Sequence, residues 1–380
     1  MPQGTDPLAT LIARRIRQDV QSVHAYAIQD SKGMVKLDAM ENPYRLPEVL
    51  QMELGKRLGA VALNRYPDDR VNDLRNALAA YAAIPEGYDL MLGNGSDELI
   101  SLLAQACAMP QDAVTGKRPV VLAPEPGFVM YAISAQFHGL SFVGVPLRAD
   151  FALDAQAMVD AIAAHQPAIV YLAYPNNPTA NLWDSAAMAR VVAAAGEAGS
   201  LVVIDEAYQP FSSQTYRDVI AAQPHQHAHV LLMRTMSKFG LAGVRIGYLF
   251  GRRELIAQID KVRPPYNISV LNTECALFAL EHAEVFAQQA ADIKVQRDRL
   301  QQAFSRLKGA QAFPSDANMI LLRLSGEADQ AGAIFEALRS RGILVKNVSK
   351  MHPLLRNCLR VTVGTAPEND RLLAALQEIL

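Results

Sequence analysis

The chain has 380 residues, of which 51% are hydrophobic and 19% charged, and its 36 basic and 38 acidic residues leave a formal net charge of −2. At roughly 150 residues per domain, that length predicts two domains or a large one with a smaller companion, and the ordinary composition excludes disorder and fibrous repeats. The balanced charge offers no broad field to nucleic acid or anionic lipid and leaves room only for a local anion pocket, so the expected partner is a small molecule.

Cys107, Cys275 and Cys358 stand far apart without Cys-x-x-Cys spacing. That spacing indicates neither a disulfide framework nor a thiolate metal site, and it implies a reducing compartment. Arg14, Arg15 and Arg17 lack a following apolar run. No segment supplies the roughly 18 consecutive apolar residues of a membrane span. The expectation is a cytoplasmic protein with no metal, no membrane contact and no nucleic-acid partner.

From about Leu90, short β-branched runs at 120–122, 141–145, 168–173, 201–204, 230–233 and 247–250 alternate with Ala-rich segments at 99–108, 129–137, 154–165 and 184–198. The Ala-rich segments repeat apolar residues at three and four, and Asp154 and Asp184 can cap two of them. This alternation predicts an α/β fold: a large domain over 46–271 with a mostly parallel sheet flanked by helices. After Arg263-Pro264-Pro265 the texture changes. Helical patterns at 273–280 and 285–307, strands at 319–324, 343–345 and 359–363, a helix near 331–341 and a last helix predict a smaller α+β domain over 272–380. Residues 1–45 are expected to pack on it as an arm.

Ligands of an open α/β sheet sit beyond the carboxyl ends of its strands. Three strand exits carry Tyr174-Pro175-Asn176-Asn177-Pro178-Thr179, Asp205-Glu206-Ala207-Tyr208 and Arg234-Thr235-Met236-Ser237-Lys238, and Gly93-Asn94-Gly95-Ser96-Asp97-Glu98 opens a helix. Taken alone, Lys238 reads either as a surface lysine ending a strand or as a desolvated amine nucleophile. Asp205 reads as a turn residue or as a carboxylate holding a ring nitrogen protonated. The glycine-rich run reads as a capped helix start or as a phosphate cradle, and it fails as a dinucleotide fingerprint because Glu98 stands where glycine is required. Amine, ring-nitrogen carboxylate, phosphate cradle and polar groups on one rim are together what pyridoxal phosphate requires.

Asn177-Pro178-Thr179, Asp205-Glu206-Ala207-Tyr208, Ser237-Lys238 and Arg245-Ile246-Gly247-Tyr248 resemble the fold-type-I pyridoxal-phosphate aminotransferases in order and spacing. The resemblance implies that Lys238 forms the internal aldimine and shuttles a proton, and that Asp205 pairs with the pyridinium nitrogen. It places Asn177 and Tyr208 on the ring hydroxyl, Ser96, Asp97, Ser237 and Arg245 on the cofactor phosphate, and Phe128 on the ring face, where core packing is the alternative for an aromatic residue. More narrowly, the segments 38–44, 63–68 and 359–365 resemble histidinol-phosphate aminotransferases. That likeness implies a homodimer in which Tyr66 reaches the neighbouring subunit's cofactor phosphate, with Tyr26, Tyr266, Lys346 and Arg360 at the substrate phosphate. By residue type alone, Tyr66 is an extended residue before proline and Arg360 an exposed strand arginine. Strand alternation puts Arg360 on one face with Thr362 and opposite Leu359, Val361 and Val363. Lys346 replaces an arginine and supplies a point charge in place of a fork. Ala180 replaces a glycine, which predicts an ordinary backbone there. The implied reaction is transamination between histidinol phosphate and a 2-oxo acid with glutamate as partner, in histidine biosynthesis. The alternatives are an aromatic or broad-range aminotransferase, a pyridoxal-phosphate decarboxylase of a phosphorylated amino acid, and a regulatory protein on the same fold. The short arm without a basic helix-turn-helix pattern, and the intact set Lys238, Asp205, Asn177 and Arg245, argue against the last.

Overall fold

A computed structural model describes residues 6–23, 30–109, 117–326 and 329–380. Its central sheet has seven strands: β1 (Tyr88–Gly93), β2 (Val120–Glu125), β3 (Ser141–Pro146), β4 (Ile169–Ala173), β5 (Leu201–Asp205), β6 (Val230–Thr235) and β7 (Gly247–Arg252). They lie side by side in the order β1-β7-β6-β5-β4-β2-β3. Every residue of β4 and β6 is buried, the pattern of strands covered on both faces. All neighbours are parallel except β7, which runs antiparallel to β1 and to β6. The mostly parallel expectation stands. β1 escapes the sequence reading because Tyr-Asp-Leu-Met-Leu-Gly contains no β-branched residue.

Helices cover both faces. On one, α1 (Ser96–Cys107) and α2 (Met130–Phe137) bury Leu99, Leu103, Tyr131 and Ala135 against Met91, Val203 and Leu231. On the other, α3 (Ala155–His165) and α4 (Ser185–Glu197) bury Met158, Ile162 and Val191 against Val170, Leu172 and Ile204. Asp154 and Asp184 cap these two helices, accepting from Ala157 N–H at 3.0 Å and Ala187 N–H at 2.9 Å. Each fully buried Leu, Ile or Val contributes about 1.5–3 kcal/mol, so this sheet is a rigid floor for whatever lies at its edge.

The C-terminal part contains α5 (Val270–Glu281), α6 (Ala283–Phe304), β8 (Ala310–Ala312), β9 (Met319–Leu324), α7 (Gln330–Ser340), β10 (Lys346–Asn347), β11 (Cys358–Thr362) and α8 (Ala366–Ile379). The order β10-β11-β9-β8 makes a small antiparallel sheet whose Leu322, Val361 and Leu359 pack with Ile293, Ile334 and Leu372. Ala276, Leu277 and Ala279 of α5 instead join the core that holds Leu74 and Leu78. The strand expected at 343–345 divides: Ile343–Leu344 pairs in parallel with Val35–Lys36, and Lys346–Asn347 pairs with β11. The arm also divides. Arg17 donates to the Phe137 and Gln136 carbonyls at 2.5 and 2.8 Å and so touches the end of α2.

Ala180 corrects one expectation. Its φ is +65°, inside the left-handed region, and its side chain is fully buried. The alanine is held there by its N–H to the Asn176 carbonyl and by its own carbonyl, which accepts from Asp316 N–H, both at 2.8 Å. A glycine-type backbone persists although the methyl costs about 1–2 kcal/mol.

Candidate active site

The polar exits meet because the strands that carry them are adjacent. β5 ends in Asp205, β6 leads through Thr235 into the turn Ser237–Leu241, and antiparallel β7 begins beside that turn. Gly247 opens β7 against the start of α1: a Cβ there would lie 2.6 Å from the Gly95 carbonyl carbon and 2.7 Å from the Ser96 nitrogen. Only glycine permits that approach. It draws Arg245 (φ +56°) to the first turn of α1, where its Nη2 sits 3.2 Å from Asp97 Oδ2. Gly95 stands at the N-cap with φ +80° and no side chain caps this helix. The N–H groups of the first turn therefore remain available to an anion, together with the positive end of the helix.

Ser96, Asp97, Ser237 and Arg245 line a cavity of about 320 Å³, within the ordinary range for small-molecule sites. Its other walls carry Lys238, Asp205, Asn177, Tyr208 and Phe128.

Asp205 is 5% exposed. Tyr131 donates its hydroxyl to Oδ2 at 2.6 Å and Ala207 donates its N–H to Oδ1 at 3.0 Å. No ion pair holds this carboxylate among the described residues. Burial pushes its pKa up to about 6, against the opposing pull of the two hydrogen bonds. Lys238 donates to the Ala39 carbonyl at 3.0 Å and its Nζ lies 5.9 Å from the centre of the Tyr208 ring. Burial, followed by the nearby Arg360 charge, brings the amine down to about 8. A free base is thus accessible near neutrality.

Arg360 is 8% exposed and forks between two partners: Nη1 to Asn177 Oδ1 and Nη2 to the Asp38 carbonyl, both at 2.8 Å. Thr362, on the same strand face, accepts from Met40 N–H at 2.9 Å. Asn318 donates to the Met40 carbonyl at 3.0 Å. These bonds from the small sheet, with that of Lys238 from the large one, fix residues 38–40 over the cavity, which Ala39, Met40 and Glu41 help to line.

Other expected residues lie elsewhere. Tyr66 and Tyr266 are 76% and 58% exposed, stack on one another with centroids 4.7 Å apart, and do not line the cavity. Lys346 is paired in register with Arg360, so it shares that residue's sheet face without lining the cavity. Tyr26 falls outside the described residues. Tyr131 is the member that sequence reasoning missed; its one signal is its place three residues after Phe128, in the first turn of α2.

The donor set fits pyridoxal phosphate: an anion cradle at a helix start, an uncompensated buried carboxylate, an amine of lowered pKa and an aromatic side chain share one cavity. Residues 32–376 match the family model described as aminotransferase class I and II. The chain is 65% identical over 379 residues, covering 99% of it and 100% of the relative, to histidinol-phosphate aminotransferase of Polaromonas naphthalenivorans. It is 62% identical over 377 residues to the same-named protein of Methylibium petroleiphilum, covering 99% and 98%. Among solved structures, histidinol-phosphate aminotransferase from Sinorhizobium meliloti in complex with pyridoxal-5'-phosphate aligns with a TM-score of 0.80 at 25% identity, over 96% of this chain and 97% of that one. Site geometry and likeness agree, and the chain belongs to the aminotransferase class I and II family.

Proposed function

We propose that this aminotransferase uses pyridoxal 5'-phosphate to move the amino group of histidinol phosphate to 2-oxoglutarate, giving glutamate, as a step of histidine biosynthesis. The observation that carries the reading is the pairing, within one cavity, of a buried carboxylate without a cation and a lysine whose pKa is brought down to about 8. The high identity to relatives named for this reaction supports the donor.

Pyridoxal phosphate, when bound, supplies an electron-withdrawing ring that accepts the electron pair of the substrate Cα–H bond. Asp205 would face the ring nitrogen and hold its proton by charge. Arg360 occupies the Asn177 carbonyl oxygen, which leaves the Asn177 amide N–H and the Tyr208 hydroxyl to donate to the ring hydroxyl. Phe128 would cover the ring. Ser96 and Asp97 through their N–H groups, with the side chains of Ser237 and Arg245, would hold the cofactor phosphate. Lys238, as free amine, would take the Cα proton on Nζ and pass it on to the cofactor; a pKa near the working pH suits both directions. Arg360, Lys346, Tyr266 and Tyr26 are assigned to the phosphate of the donor.

We assign residues 46–271 to the cofactor-binding domain, 1–45 and 272–380 to its companion, and the working enzyme to a homodimer in which Tyr66 reaches the partner's cofactor phosphate. The helix Pro7–Arg15 buries no residue and exposes Leu8, Leu11 and Ile12, while Val49 and Met52 stand exposed on the helix Glu48–Gly59. A second copy of the chain is what would cover such surfaces. No helix among the described residues is long and apolar enough to cross a membrane, and Cys107, Cys275 and Cys358 are free thiols, in keeping with a cytoplasmic enzyme.

An amino-donor panel tests the reading. With 2-oxoglutarate as acceptor, kcat/KM for histidinol phosphate is expected to exceed that for phenylalanine by about 100-fold or more, the gap a charged recognition site produces. Equal values would reassign the enzyme to aromatic donors, carbon dioxide release would make it a decarboxylase, and failure to develop bound-cofactor absorbance would favour a regulatory protein.

A further inference from the structure

Tyr131 belongs to none of the motifs at the strand exits, yet it touches the most consequential acid in the site. Its hydroxyl lies 2.6 Å from Asp205 Oδ2, while Ala207 N–H takes Oδ1. The ring is 3% exposed and has no freedom to swing. It stacks on Tyr171 at 4.3 Å and 7° and meets the Phe128 ring edge-on at 5.6 Å. The adjacent Tyr171 hydroxyl is also enclosed and has no hydrogen-bond partner among the described residues; of the two stacked tyrosines, Tyr131 is the one that donates to Asp205.

We propose that Tyr131 is a positioning residue that keeps Asp205 ionised and aimed at the ring nitrogen of pyridoxal phosphate, an inference that rests on assigning Asp205 to that nitrogen.

Burial drives the Asp205 carboxyl up to about 6, and the Tyr131 hydrogen bond is the largest influence in the opposite direction, ahead of Ala207 N–H. Asp97 at the start of α1 and Glu206 beside it push the carboxyl higher. The other titratable or charged groups around it are Tyr171 on β4, Tyr208 after β5, Lys238 after β6, Arg245 before β7, Glu41 on the segment over the cavity and Arg360 on β11. None forms an ion pair with Asp205. Without the tyrosine hydroxyl, the acid would hold its proton to a higher pH, and a neutral carboxyl cannot balance a protonated ring nitrogen.

The test compares Tyr131→Phe, Tyr171→Phe and Asp205→Asn in the full chain, stripped of cofactor and titrated by equilibrium dialysis with pyridoxamine 5'-phosphate, which makes no covalent bond to Lys238. Melting curves verify that each variant is folded. Tyr131→Phe keeps both ring contacts and is expected to bind about tenfold more weakly than wild type at about pH 6 but within about twofold at about pH 8.5, where Asp205 is ionised with or without help. Tyr171→Phe should match wild type at both pH values. A Tyr131→Phe loss of equal size at the two pH values, or no loss at all, while Asp205→Asn binds poorly, would overturn the role of Tyr131 and leave Asp205 in place. Wild-type binding by Asp205→Asn would remove the assignment of Asp205 and this inference with it.

Discussion

Asp205 and Glu206 are adjacent in the chain and both are nearly inaccessible, at 5% and 1% exposure. The strand pleat sends them to opposite faces of the sheet, where their surroundings differ in kind. Glu206 receives Arg234 Nε and Nη2 on Oε2 at 2.9 and 2.8 Å, and Thr215 Oγ1 and Tyr216 N–H on Oε1 at 2.9 and 2.5 Å. Its charge is matched and its lone pairs are filled. Asp205 receives one tyrosine hydroxyl and one amide, with no cation among the described residues. Burying an ion costs several kcal/mol unless a partner offsets it. The fold supplies that partner at 206 and withholds it at 205. Glu206 clips β5 to β6; Asp205 is left for a cationic ligand.

The functional side of this contrast is most severely broken by Lys238→Ala. Turnover with 2-oxoglutarate is expected to fall about 10⁴-fold or more, the range lost with a general acid–base group that is also the nucleophile. Bound cofactor should persist without a covalent link, as absorbance after gel filtration would reveal. The contrast itself is sharpened by paired substitutions. Glu206→Gln strands the Arg234 charge and should cost about 3–5 kcal/mol in urea unfolding, while kcat of the folded fraction changes little. Asp205→Asn should leave the stability of the cofactor-free chain equal or higher and lower kcat about 100- to 1,000-fold. Reversed outcomes at the two positions would abolish the distinction.

A smaller effect is the pH dependence of folding without cofactor. The folded-state pKa of Asp205 is raised from 3.8 to about 6, so the folded chain binds that proton more tightly than the unfolded one. Asp205 therefore detracts increasingly from stability as pH rises from about 4 to about 6, by about 3 kcal/mol at the plateau, and by a constant amount above. Lys238 is lowered from 10.5 to about 8; the folded chain sheds that proton first, and stability rises with pH across the interval between those values. Unfolding free energies of wild type and Asp205→Asn should diverge between about pH 4 and 6 in favour of the variant; a difference independent of pH would contradict the raised pKa.

What the sequence made legible is local. The runs that became β2, β4, β5 and β6 are apolar and rich in β-branched residues, and the groups at their exits follow directly in the chain, so Asp205, Asn177 and Lys238 could be placed on one rim before any geometry. Alternation also put Arg360 and Thr362 on one face, and both now grip residues 38–40. What stayed hidden depends on distant backbone. A hydrophobic run does not reveal its direction, so antiparallel β7 looked like its neighbours. The carbonyls of Asp38 and Ala39 have no side-chain signature, and their bonds to Arg360 and Lys238 span 322 and 199 residues. Tyr131 in an apolar helix reads as core packing, which it also is. Ala180 suggested an ordinary backbone because residue type reports preference, whereas tertiary contacts hold it at positive φ.

The most direct measurement is borohydride reduction of the cofactor-loaded full chain followed by peptide mass mapping. Attachment of the cofactor to Lys238 is the expected result. Attachment to another lysine, such as Lys36 beside Glu41 at the cavity edge, with Lys238 unmodified, would contradict the placement of the amine and the acid on one ring.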